Sequence, residues 1–104
     1  MMRQAYTMRL KPGMAAEYKK RHDEIWPELA REIHAAGVSD FSIFLDEKTM
    51  TLFVFRKISD AEKFAKLPEQ PIVRKWWSYM APLMDVNADD SPVEVPLREV
   101  FRLD

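Results

Sequence analysis

The sequence contains no cysteine. That removes disulfide scaffolds, thiol catalysis and zinc–thiolate sites together. Glycine occurs only twice, at Gly13 and Gly37. Phosphate-cradling loops need several glycines close together, so nucleotide-binding loops are not expected. There are two histidines, His22 and His34, too few for a three-histidine metal site. No apolar run is long enough to span a bilayer, and the N-terminus lacks the hydrophobic block of a signal peptide. The formal net charge is −1, so no field of one sign favours nucleic acid or an anionic membrane surface. These absences leave the expectation of a cytoplasmic protein without metal.

What is present is ordinary for a folded domain. The chain has 104 residues, 47% hydrophobic and 32% charged, which argues against disorder. That length suits one domain over residues 1–104, with a radius of gyration of about 13 Å and a single two-layer core. Aromatics reach 12%, with Trp26, Trp76 and Trp77 among them. Tryptophan is a core filler, and its flat apolar face is also what a sugar-binding pocket needs.

The hydrophobic period changes along the chain. Arg3 to Leu10 alternates, with Tyr6, Met8 and Leu10 on one face, and predicts a half-buried strand that Lys11-Pro12-Gly13 breaks. Met14, Tyr18, His22, Ile25, Leu29 and Ile33 then recur at spacings of three and four, one stripe of a helix reaching about Ala36. Pro27 lies inside that stretch and is expected to bend or break it near His22 and Trp26. Gly37 fits a left-handed residue past the helix end. Val38 to Asp46 and Met50 to Ile58 read as two strands of a hairpin. Phe41, Ile43 and Leu45 share a face of the first, and Leu52, Val54 and Ile58 share a face of the second. Large apolar groups, among them Phe44, Phe53 and Phe55, occupy the other faces as well. Such a hairpin needs a second cover, and a partner subunit is the simple candidate. Ser59 with Glu62 fits a capping box before a short helix through Phe64 to Leu67. Pro71 fits the first turn of another helix, which carries Trp76 and Trp77 and closes at Pro82. Val95 to Leu103 alternates as a last strand. This order predicts an α+β, ferredoxin-like split βαβ fold: an antiparallel four-stranded sheet with helices on one face, dimerising through the other.

Few residues could carry chemistry. An imidazole titrates near ~6.5, so His22 can exchange protons at neutral pH. It sits one helical turn from Tyr18 on the same face. A lone histidine on an inner helix face is commonly structural, and Tyr18 could equally be a core residue. Trp76 and Trp77 lie about 100° apart on a helix, which predicts one in the core and one in a pocket. Glu17, Asp23, Glu24 and Glu28 read as a solvated flank, and Asp89 and Asp90 as a turn.

The run Glu17-Tyr18-Lys19-Lys20-Arg21-His22-Asp23-Glu24-Ile25-Trp26-Pro27-Glu28-Leu29 resembles the signature helix of the L-rhamnose mutarotase family. Phe41 to Asp46, Arg74 to Met80 and Asn87 to Pro92 agree with it, so the resemblance covers essentially the whole chain. It implies a cytoplasmic homodimer, a dimeric α/β barrel, that exchanges the α and β anomers of L-rhamnose without cofactor or metal. By that resemblance the proton donor falls on His22, and the sugar contacts fall on Tyr18, Phe41, Trp76 and Trp77. Where a member of that family has tyrosine, this chain has Phe41, which keeps the ring and lacks the hydroxyl. The partner of His22 in proton transfer stays open among Tyr18, a water and a carboxylate. Two other readings fit the same pattern: a cofactor-independent monooxygenase on the same scaffold, and a ligand-sensing module without chemistry.

Overall fold

Strand β1 (Met2–Arg9) carries the alternation of Tyr6 and Met8 on one face, both buried. The computed structural model describes residues 1–104. Four strands form one antiparallel sheet in the order β2-β3-β1-β4, where β2 is Val38–Asp46, β3 is Thr51–Ile58 and β4 is Val95–Leu97. This is the sheet order of the ferredoxin-like split βαβ arrangement. The inner face presents Tyr6, Met8, Leu52, Val54 and Ile58 to the helices. They pack with Tyr18, Met80, Leu83 and Met84 to make the main core. No helix is long and apolar enough to cross a membrane.

The predicted helix from Met14 to Ala36 is two helices, α1 (Ala15–Asp23) and α2 (Pro27–Ala35). The residue before a proline is pushed to extended backbone, and Trp26 sits at φ −62°, ψ 128°. Pro27 then opens α2, at the position where its missing N–H costs nothing. Both halves keep the predicted stripe inward. Gly37 follows α2 with φ +86°, and a Cβ there would lie 2.7 Å from the Ser59 hydroxyl oxygen. Conformation and space therefore both require glycine.

Two expectations are corrected. The cap of α3 (Ala61–Ala65) is Asp60, whose carboxylate accepts from the Lys63 N–H at 3.0 Å. Ser59 instead donates to the Gly37 carbonyl, so the helix starts one residue later than the capping box predicts. The last strand stops at Leu97, because its ladder to β1 covers only Ala5 to Thr7. Beyond it, Val100, Phe101 and Leu103 are exposed, and Arg3 meets Glu99 at 3.8 Å. In β2 the register shifts between Ser39 and Ser42, with Asp40 at φ +48°. Asp40 and Phe41 together oppose Arg56 of β3, which is the two-against-one count of a β-bulge.

Candidate active site

The helices and the inner face of the sheet do not close on each other completely. A cleft of about 1260 Å³ remains between them, with mostly apolar walls. Ligand pockets typically run to ~300–1,000 Å³, so the space exceeds what one monosaccharide fills. Tyr18, His22, Phe41, Trp76 and Trp77 all line it.

Tyr18 and His22 are four residues apart on α1, so one helical face carries both. Their rings stack with centroids 4.4 Å apart. His22 Nδ1 lies 3.2 Å from the Tyr18 carbonyl oxygen. A carbonyl only accepts, so Nδ1 carries the hydrogen and Nε2 keeps its lone pair. Desolvation by burial lowers the His22 pKa from its usual 6.5; the bond to the Tyr18 carbonyl and the charge of Asp23 oppose that shift without reversing it. At neutral pH the resting imidazole is therefore uncharged, and Nε2 is a proton acceptor. Burial raises the pKa of the Tyr18 phenol, helped by Tyr6 beside it, so this hydroxyl stays protonated. It finds no protein partner and is not sealed off, which leaves it free to bond a ligand.

Helix α4 (Pro71–Met80) supplies the opposite wall. Trp76 meets the His22 ring edge-on at 5.3 Å. Behind it, Trp26 at 5.0 Å and Tyr79 at 5.7 Å fix its angle. The Arg21 guanidinium covers the Tyr79 ring at 4.0 Å, bonds the Tyr79 carbonyl and pairs with Glu17 at 2.7 Å, tying α1 to α4. Trp77 is not split off into the core or the pocket alone. Both tryptophans are half-buried and both line the cleft. Phe41 reaches the cleft from the bulge in β2, although 42% of its surface is exposed.

Of the acids read as a solvated flank, Glu24 and Glu28 are exposed as expected; Asp23 pairs with Lys19 at 3.0 Å and also lines the cleft, and Glu17 is half-buried against Arg21. Asp89 closes a turn by accepting from Ser91, and that bonding lowers its carboxyl pKa. Asp90 differs: it takes a bond from Ser78 at 3.1 Å and lines the cleft. Sequence reasoning also passed over Gln4, Arg56 and Glu94, which line the same cleft. Positions 4 and 56 fall in phase with Tyr6 and Val54 on the inner face, which marks them as inward-facing and does not by itself mark a site.

Comparison with known proteins agrees along the whole chain. The sequence pattern of L-rhamnose mutarotase matches residues 3–103. The L-rhamnose mutarotase of Brucella anthropi is 52% identical over 101 residues, covering 97% of this chain and 95% of that protein. The one from Lachnoclostridium phytofermentans is 48% identical over the full length of both. The crystal structure of an L-rhamnose mutarotase from Formosa agariphila superposes with a TM-score of 0.93 at 47% identity, covering 100% of both chains. A Mycobacterium tuberculosis protein, 8% identical with a TM-score of 0.58 over 98% of this chain and 97% of its own, shares the fold alone. The chain belongs to the L-rhamnose mutarotase family.

Proposed function

We propose that this protein interconverts the α and β anomers of L-rhamnopyranose, as a cytoplasmic homodimer. The observation that carries the reading is the His22 imidazole, pinned at Nδ1 by the Tyr18 carbonyl, with Nε2 left to a cleft walled by Trp76. Its relatives' names supply the substrate.

Anomer exchange opens the hemiacetal and recloses it on the other face of the aldehyde. Neutral His22 takes the O1 proton at Nε2 as the bond from C1 to the ring oxygen breaks. The ring oxygen receives a proton from a second donor. The Tyr18 hydroxyl, on the ring stacked against His22, is the protein group offered for that role, with water as its alternative. Rotation about C1–C2 turns the aldehyde, and the same steps run in reverse. His22, now the imidazolium, then serves as the proton donor. Nothing is oxidised, and no group leaves. Positioned acid–base groups of this kind contribute typically ~10²–10⁴ in rate. Trp76, Trp77 and Phe41 offer flat apolar faces to the C–H face and methyl group of the deoxy sugar.

The homodimer rests on the outer sheet face. Phe44, Phe53, Thr7 and Val95 form one row across all four strands, and Ser42, Phe55, Ala5 and Leu97 form the next. Phe44 is 69% exposed and Val95 56%. A second copy of the same face covers these rows, completing a barrel of two sheets.

A polarimetric trace from one freshly dissolved L-rhamnose anomer tests the activity. Micromolar protein is expected to shorten the approach to the equilibrium rotation. A trace unchanged by protein contradicts the reading. Steady oxygen consumption with an aromatic substrate would point to monooxygenase chemistry instead.

A further inference from the structure

The inner face of the sheet is where the core is built, yet it carries two charged residues and an amide. Arg56 follows Leu52 and Val54 on the inward side of β3 and stands opposite Gln4 in the ladder. Pro96 pairs with Tyr6, so Glu94, two residues earlier, shares the inward side. Gln4, Tyr6, Arg56 and Glu94 all line the cleft. A guanidinium beneath a helical layer is costly unless its charge and donors are used.

The fold holds this guanidinium firmly without neutralising it. Arg56 Nε donates to the Gln4 side-chain oxygen at 2.6 Å, and Nη1 donates to the Tyr6 hydroxyl at 2.9 Å. The plane lies over the Tyr6 ring at 4.5 Å and the Phe64 ring at 4.7 Å. Glu94 is near enough for its charge to be felt, but the two do not form an ion pair. Arg56 Nη2 has no protein acceptor. Because the Tyr6 oxygen already accepts from Arg56, its own hydrogen is free to donate. Glu94 stands at the rim, and partial desolvation raises its carboxyl pKa. Its oxygens accept no bond from the protein.

The geometry points to Arg56, Tyr6 and Glu94 as a hydroxyl-reading wall, a specificity site that grips vicinal hydroxyls of the sugar whose anomeric end lies at His22. This rests on the mutarotase reading. Donors and acceptors side by side match a diol, since each hydroxyl both donates and accepts. An anionic ligand is opposed by Glu94, and a cationic one by Arg56; a neutral polyol suits both. Aromatic faces at Tyr6, Phe64 and Phe41, whose bulge stands opposite Arg56, flank the polar groups. Tyr6 and Tyr18 share one core cluster, which joins this wall to the His22 end.

The test measures L-rhamnose binding by tryptophan fluorescence and anomer exchange by NMR, for the unaltered protein and the Glu94→Gln and Arg56→Met variants. The wall predicts that KM and Kd rise by about tenfold or more in each variant, the scale of losing bonds to a charged group, while kcat stays within about threefold. Glu94→Gln lies at the exposed rim and keeps the proposal testable even where Arg56→Met fails to fold. Unchanged KM and Kd in folded variants overturn the wall and leave the mutarotase reading standing. Sugar binding without exchange in the unaltered protein overturns the mutarotase reading, and the variants' Kd values then still decide the wall. Neither binding nor exchange overturns both.

Discussion

In the proposed mechanism one imidazole carries the chemistry, and its protonation state decides how it works. Folding around His22 favours the neutral ring, so its folded pKa lies below its unfolded one. A catalytic base of that kind keeps its activity as pH is lowered to about 6.5 and loses it only below, once the lowered pKa is reached. The expected kcat/KM profile therefore has its acid limb centred under about 6.5; polarimetry after subtraction of the spontaneous rate measures it, and a limb centred above that value contradicts the neutral resting ring. The same shift bears on stability. Near this pKa the unfolded chain binds the proton more readily than the folded one, so unfolding free energy rises with pH. The contribution is present above about 6.5 and is lost as pH falls through the lowered folded pKa. Denaturant titrations on both sides of that window are expected to give a shallower pH dependence for His22→Asn than for the unaltered protein. Tyr18→Phe keeps the stacked ring and removes only the hydroxyl. It is expected to fold and to lose exchange by ~10²–10⁴, the scale of one general acid; full activity would assign the second proton to water.

At the scale of elements, the order of strands and helices was legible because period and punctuation agreed. Alternation marked β1, β2 and β3, while three-and-four spacing marked the stripe through Tyr18, His22 and Leu29. Pro27 announced a break, and the extended backbone of Trp26 is its cause. Boundaries were less legible where two residues could play one part. Ser59 and Asp60 both suit an N-cap; Gly37 decides between them, because its close approach takes the Ser59 hydroxyl for its own carbonyl. Asp60→Ala is accordingly expected to cost about 1 kcal/mol in chemical unfolding, more than Ser59→Ala. Gly37→Ala meets both a left-handed backbone and a crowded Cβ, and is expected to lower stability by more than about 1 kcal/mol. The alternation from Val95 to Leu103 overstated β4, since alternation reports faces and cannot report whether a neighbouring strand is there to pair. The residues named for the candidate site, on one helical stripe, one strand and one further helix, all line the cleft. Arg56, Gln4 and Glu94 were not legible, because a polar residue in phase with a core face looks like noise until the space opposite is seen to be a cleft.

The whole molecule places its cleft between the helices and one sheet face and leaves exposed aromatic and aliphatic side chains on the other. In the proposed homodimer a second copy covers that face, so association and catalysis lie on opposite sides of the sheet. Phe53→Asp sets a charge in the middle of a row that includes Phe44 and Thr7, far from the cleft side of the sheet. Sedimentation is expected to give twice 12.3 kDa for the unaltered chain and a shift toward 12.3 kDa for the variant. A monomer at every concentration of the unaltered chain would contradict the account of the outer face. The central claim is that His22 moves the anomeric proton, and magnetisation transfer between the two anomeric protons of L-rhamnose tests it most directly. With unaltered protein the transfer rate is expected to rise in proportion to protein concentration. With His22→Asn, folded and still quenched by the sugar, it is expected to fall by ~10²–10⁴. Equal transfer rates for the two proteins would contradict the account.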